Sequence, residues 1–395
     1  MDLATRTRVR LRVVVGLLVV LTVAGMVALR PTADLPSQPE GRDLVDGVVV
    51  EFEPYVAEES PFSLDGRSAR MVVELTSGPD RGDRVRVDQL LEGLPVEQGT
   101  RVRLDQFDMA GEATWIIVDL QRARTLWLLG ALFIGVVLAV GRWHGLRSLV
   151  GLGLSLVVVV QFIVPAILSG RSPAMVALVG AAAIMLVTLY LSHGVNEQTT
   201  AAVVGTTIAL GATLWLGNTF IEGAALTGYA SEEALFASQA VSGLDLRGLI
   251  LAGLIIGALG VLDDVTVSQA STVFALHDTD PRLTVAQVTR TAMRVGRDHI
   301  ASTVNTLFLA YAGASLALLV LFSTSGRAAG EILSSEIVAE EIVKTLVGSL
   351  GLILAVPVTT VLAATLAVRR SREDVAASRA RHGIGDDAGH GHRHG

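Results

Sequence analysis

Two adjacent carboxylates stand inside an apolar run, Gly253-Leu-Ile-Ile-Gly257-Ala-Leu-Gly260-Val-Leu-Asp263-Asp264-Val-Thr266-Val-Ser268-Gln269-Ala-Ser271. An ionised side chain at the centre of a bilayer costs roughly 2.5–3.5 kcal/mol on insertion scales and more in simulations, so the pair needs a reason. Neighbouring residues on a helix point about 100° apart, so Asp263 and Asp264 cannot both face one partner. One faces the bundle core while the other caps, pairs with a helix neighbour or contacts water. A carboxyl group that takes up and releases a proton, reachable from each side in turn, is what a proton relay needs. The next apolar run carries a matching polar stripe. Ser302, Asn305 and Thr306 share one helix face and, with Thr303, are placed to hydrogen-bond the carboxylates across an interface. Gly253, Gly257 and Gly260 let another helix come close. The same pattern also fits structural glue, with the membrane boundary lying nearer Asp263, because the run Leu249–Val273 is long enough for either placement.

The elements that must hold these groups are legible from hydropathy. Of the 395 residues 51% are hydrophobic and 17% charged, with mean hydropathy +0.56, where soluble domains carry about a quarter charged residues. Apolar runs at Val13–Leu29, Thr125–Val140, Leu149–Leu168, Ala174–Leu191, Thr199–Ile221, Leu249–Val273, Ile300–Phe322 and Thr345–Val368 predict a polytopic α-helical membrane protein with about eight spans. The loops sort by charge. Arg6 to Arg12, the Arg142–Arg147 loop, Arg282 to Arg297, and Arg369 with Arg370 and Arg372 fall on one side. Glu222, Glu232, Glu233 and the loop from Glu331 to Glu341 fall on the other, with Arg171 the exception. The positive-inside rule then predicts a multi-pass protein of the plasma membrane with both termini cytoplasmic. Arg30-Pro31 stands where a cleaved leader would have small residues, so residues 1–30 are expected to be an anchor helix rather than a signal peptide. His277–Asp298 alternates arginines with apolar residues, and is expected to start a helix at Asp278 or Asp280 with Pro281 and to lie along the interface.

Residues 31–124 change character. Candidate strands at Leu44–Glu53, Arg70–Leu75, Arg84–Val87, Thr100–Leu104 and Thr114–Leu120 alternate with turn chemistry at Ser77-Gly78-Pro79-Asp80 and Glu97-Gln98-Gly99. This predicts a small β-rich, OB-like extracytoplasmic domain between the first two spans. It is followed by a seven-helix membrane domain over residues 125–370 and a disordered tail over 371–395. Alternate histidines His390, His392 and His394 in the tail can capture metal loosely, though no purposeful metal site is expected.

The absence of cysteine excludes disulfides and thiolate chemistry. His-Glu-x-x-His and a phosphate-cradling glycine loop are both missing, which disfavours a common zinc protease and a nucleotide-driven pump. Aspartyl intramembrane proteases carry their two Asp on different helices, and no second apolar run here holds one, so an enzyme is not expected. Lys344 is the sole lysine against many arginines, and the net charge of −7 suggests no nucleic-acid partner.

Gly257–Ser271, the amphipathic segment and His299-Ile-Ala-Ser302-Thr303-Val-Asn305-Thr306-Leu-Phe-Leu-Ala-Tyr311-Ala-Gly313-Ala-Ser315 together resemble the YibE/YibF family of bacterial membrane proteins. The resemblance covers most of residues 125–368 and extends to the anchor and β-rich domain; it implies a fold more than an activity. An acidic membrane helix, a basic segment and a helix opening with Ser/Thr/Asn are also similar to SecD/SecF and the RND transporters. That weaker similarity implies Asp263 or Asp264 as the protonation site, Asn305 and Thr306 as its partners, and a homodimer completing a two-half assembly. This chain departs from it by two extra helices, a smaller outer domain and a paired rather than single Asp. Two functions follow: an ion-coupled transporter or force-coupling device, or an envelope scaffold whose β domain binds partners. Membrane lipids, protons or other ions, a second copy and an envelope protein are the expected partners, with no cofactor.

Overall fold

The structure, a computed structural model, describes residues 3–31, 44–56, 67–91, 93–109 and 112–381. By contact the chain divides into two compact units, residues 37–142 and residues 1–36 with 143–395.

The first unit is built on strands β1 (Val45–Val56), β2 (Arg67–Leu75), β3 (Arg84–Leu90), β4 (Arg101–Met109) and β5 (Glu112–Leu120). All neighbours are antiparallel, in the order β3-β2-β1-β4-β5. Alternation sends Val45, Val49, Met71, Val73, Val87, Val102, Leu104 and Ile117 into one core. The tight turn before β4 relies on Gly99, whose φ of 85° is costly for any residue with a Cβ. The two edge strands meet through a side chain. Gln89 of β3 accepts from the Ile117 amide at 2.6 Å and donates to the Ile117 carbonyl at 3.2 Å, so its amide stands in for a backbone partner. On the exposed face Tyr55 donates to Asp88 at 2.6 Å, which holds its hydroxyl above the usual phenol range, and Arg70 lies over the Tyr55 ring.

Helix α1 spans Leu3–Ala28, and α2 spans Ala123–Val158. Arg142 interrupts α2 with φ 47° and ψ −124°, a geometry that costs a non-glycine residue about 1–3 kcal/mol, and the two units part there. A π-helical turn (Val159–Ile163) and α3 (Val164–Leu168) complete this stretch. It is followed by α4 (Pro173–His193), α5 (Glu197–Gly223), α6 (Glu232–Ala240), α7 (Leu246–Thr279), α8 (Val285–Ala314), α9 (Leu316–Thr324), α10 (Ala329–Leu333) and α11 (Glu336–Arg381).

Among the described residues five helices are long and apolar enough to cross a membrane: Ala123–Leu168, Pro173–His193, Glu197–Gly223, Leu246–Thr279 and Glu336–Ser371. Helices α8 and α9, bent by 61°, make a sixth if counted as one span, and Val13–Ala28 is a shorter apolar helix. The runs expected at 125–140 and 149–168 share the kinked 46-residue helix.

Two expectations are corrected. Helix α8 begins at Thr284, which forms a capping box with Gln287, and Pro281 sits in the turn before it. The segment is the first part of this helix, amphipathic as expected. Val288, Ala292 and Gly296 are buried in the bundle while Arg290, Arg294 and Arg297 are exposed, and the helix runs on unbroken to Ala314. The expected tail is helical as far as Arg381, whereas His390, His392 and His394 lie outside the described residues.

Helices α5, α7 and α11 form the centre of the bundle, with α4 and the start of α8 packed around them. Small residues set their separation. A Cβ on Gly205 of α5 would stand 2.0 Å from Thr359 Oγ1 of α11, and one on Gly351 of α11 would stand 2.1 Å from Thr213 Oγ1 of α5. Pro357 interrupts the hydrogen-bond ladder of α11, and the Thr360 hydroxyl beyond it donates to the Val356 carbonyl at 2.6 Å. At one end Glu336 accepts from the Thr227 and Gly228 amides at 2.5 and 2.8 Å, tying the turn after α5 to the start of α11.

Two outcomes follow from this packing. Gly205→Leu forces α5 and α11 apart and lowers the Tm of the detergent-solubilised protein by roughly 5 °C, overpacking costing about 1–3 kcal/mol. Gly211→Leu, on the same helix with nothing within 4 Å, leaves Tm unchanged. Gln89→Ala removes the link between the edge strands, and hydrogen-exchange protection of the Ile117 amide falls about tenfold, as the loss of about 1.4 kcal/mol gives.

Candidate functional site

Polar side chains removed from water in a bundle find one another, because each unmet donor or acceptor costs about 1–3 kcal/mol. Here they gather on the three central helices. The Thr206 and Thr266 hydroxyls meet at 2.7 Å between α5 and α7. Toward the α8 end of the bundle Gln269 of α7 donates to Thr360 of α11 at 2.7 Å and to the Ala292 carbonyl of α8 at 3.2 Å, joining three helices through one side-chain amide. A Cβ on Gly296 would come within 3.1 Å of that amide, so α8 approaches there through a glycine. Gln198 of α5 donates to Ser271 of α7 at 3.0 Å. This seam is nearly saturated with internal partners.

Asp263 stands beside the seam and is not part of it. Its neighbour is Thr188 of α4, whose hydroxyl faces the carboxyl group. Its Oδ1 is shut off from the surface and has no hydrogen-bond partner. Thr188 has one hydroxyl proton, and in this structure gives it to the Ile184 carbonyl at 2.8 Å. Besides that carbonyl, the Met185 carbonyl at 3.3 Å and the Asp263 carboxyl group compete for the same proton. Asp264, one residue on, is exposed. Asp263 is half-buried, so the two carboxylates differ in exposure, as the 100° step of a helix requires.

The rest of the sequence-derived constellation is arranged differently. Ser302, Asn305 and Thr306 are exposed on the outer half of α8, and Thr306 donates back to the Ser302 carbonyl at 3.0 Å rather than across to a carboxylate. Gly253, Gly257 and Gly260 line one open face of α7 that continues to Asp264. A Cβ on Gly253 or Gly260 would meet nothing within 4 Å, and one on Gly257 would meet only the Tyr311 hydroxyl, at 3.4 Å. Among the described residues, only the Tyr311 side chain of α8 comes within reach of a Cβ on that glycine face.

Sequence reasoning passed over Thr188, Thr206, Gln269, Thr359, Thr360 and His277. Their signal was present: a polar residue in an apolar run repeats the argument made for the Asp pair, and Thr266, Gln269, Val273 and His277 recur at helical spacing on the buried face of α7. Threonine is discounted in such a reading because its hydroxyl can be met by its own helix, as it is for Thr213 on Ala209 at 2.9 Å. His277 is 1% exposed with both ring nitrogens unpartnered, and the Thr359 hydroxyl is likewise without a partner. Charged side chains mark both ends of α11. Lys344 reaches Glu340 at 2.7 Å and Glu341 at 3.2 Å, while Arg370 pairs with Asp278 and lies over the Phe274 ring. Among the described residues no group of three or more His, Cys, Asp or Glu could hold a metal ion.

No curated protein and no solved structure matches this chain. The family described as YibE/F-like protein matches residues 129–369, well over half of its 395 residues, and that span contains the whole seam, Asp263 and Thr188. The chain therefore belongs to the YibE/F-like protein family.

Proposed function

We propose that this membrane protein is a proton- or cation-coupled transporter or force-coupling device in which Asp263 is the group that gains and loses charge. The observation that carries this reading is the sealed, unpartnered Oδ1 of Asp263 inside a membrane-spanning helix. A carboxyl group kept there without a counter-charge is expensive, and in membrane proteins such groups mark ion paths. The neighbouring seam supports a route. Thr266, Gln269 and His277 follow Asp263 along one helix, and hydroxyl, amide and imidazole groups can each accept and donate. Asp264 on the open glycine face serves as the outer member of the pair, in contact with whatever fills that face.

The reading takes eight crossings, with the helix kinked at Arg142 counted as two, the bent pair as one and α1 as the first. Both termini and the arginine-rich loops then share the cytoplasmic side. It takes the β unit as OB-like and extracytoplasmic. The strand order β3-β2-β1-β4-β5, with Gln89 linking β3 to β5, supports a partly closed five-stranded barrel. The exposed Tyr55, Arg70 and Asp88 cluster on that barrel favours a second reading, an envelope scaffold that holds a partner there.

Proton flux in proteoliposomes under an imposed pH gradient separates the two. Wild-type flux is expected to fall to background in Asp263→Asn and to persist in Asp264→Asn at more than about half its rate, since Asp263 holds the sealed carboxyl oxygen and Asp264 is exposed. Full flux in Asp263→Asn rejects the relay. Background flux in every variant, the wild type included, favours the scaffold.

A further inference from the structure

An open cavity of about 270 Å³ lies where α8 bends into α9, bounded on its other side by α10 and α11. Its walls are almost wholly apolar, with Leu318, Leu319, Leu333 and Ile342 among them, and two aromatic rings, Phe308 and Tyr311, face it from α8. One carboxylate lines it, Glu341.

The charge on Glu341 is not cancelled. Among the described residues Lys344 is the cation paired with these carboxylates, shared between Glu340 at 2.7 Å and Glu341 at 3.2 Å, so the three groups carry one net negative charge. The shorter bond goes to Glu340, whose side chain is 15% exposed, and Glu341, at 31%, is the carboxylate on the cavity wall. Apolar walls with a few placed polar groups are the make-up of a small-molecule site. Aromatic rings attract a cation over their faces. A residual carboxylate adds Coulomb attraction that is strong in a site of low dielectric.

We propose that this cavity is a binding site for a small lipophilic cation, an apolar or aromatic body carrying an ammonium group, with the body on Leu319, Phe308 and Tyr311 and the charge against Glu341. A neutral lipid tail would use the apolar walls and leave Glu341 without a purpose. An anionic headgroup would be repelled by the net charge. The assignment does not rest on the Asp263 relay, since the cavity is on a different helix pair and binding needs no ion flux.

Phenyltrimethylammonium and tert-butylbenzene share one shape and differ by one charge, which makes them the probes. Full-length protein in zwitterionic lipid nanodiscs is to be titrated with each, with empty nanodiscs subtracted. Wild type is expected to bind the cation saturably and at least tenfold more tightly than the neutral isostere. Glu341→Gln reduces that preference to about twofold, Glu341→Asp keeps most of it, and Ala312→Trp, which fills the cavity, abolishes binding of both. Equal affinity for the two probes in wild type identifies a lipid-tail pocket and overturns the proposal. So does the absence of saturable binding, as when a second copy covers the cavity, and so does an unchanged preference in Glu341→Gln. Retained binding in Ala312→Trp places the probe elsewhere and overturns it as well.

Discussion

In hydrocarbon a polar group has no water to fall back on, so every donor and acceptor must be met inside the protein, and this constraint organises the bundle. It explains why the central helices are α5, α7 and α11, which carry most of the buried polar side chains of the membrane unit. It also explains the spacing. The backbones of α5 and α11 come close where Gly205 meets Thr359 and Gly351 meets Thr213, and in neither place is there room for a Cβ. Glycine and threonine act here as a pair, one making the room and the other using it. Dispersion contacts then add along the seam, with Val356 and Leu352 of α11 fully buried beside the polar groups. Polar satisfaction and tight packing are two aspects of one contact.

Much of this architecture was legible in the sequence. The expected apolar runs fall on helices, the run 300–322 across the bent pair α8 and α9, and the five strands fall within a few residues of their expected positions, because charge-free runs and period-two alternation follow directly from what surrounds each element. The errors came where two local signals compete. Pro281 with Asp280 reads as a helix start, yet the reciprocal Thr284 and Gln287 bonds satisfy more orphan amides, and α8 starts there. The boundary between the second and third runs disappears because Arg142 kinks the helix without ending it.

The site was half legible for a similar reason. Charge is conspicuous in an apolar run, so Asp263 and Asp264 stood out, and their different exposure, one half-buried and one exposed, follows from helix geometry. Which faces meet is a tertiary matter. The stripe Ser302, Asn305 and Thr306 has the right spacing to line an interface, but only the first half of α8, through Val288, Ala292 and Gly296, packs into the bundle. The residue that does face Asp263, Thr188, lies on another helix, in a run of ordinary apolar character, and only the fold brings it there.

The placement of Asp263 follows from the same constraint with one term reversed. Within the seam the donors and acceptors already have partners: Thr206 with Thr266, and Gln269 with Thr360 and Ala292. A carboxylate in that seam would be compensated, and a compensated charge has no reason to change. Asp263 instead lies one turn away, against a hydroxyl whose proton is already directed to Ile184. Its Oδ1 is left without a hydrogen-bond partner. A tightly satisfied seam fixes α7 in position, and the fixed helix can then hold one group that is not satisfied. Stability and poise are supplied by different residues on the same helix, so each can be altered without the other.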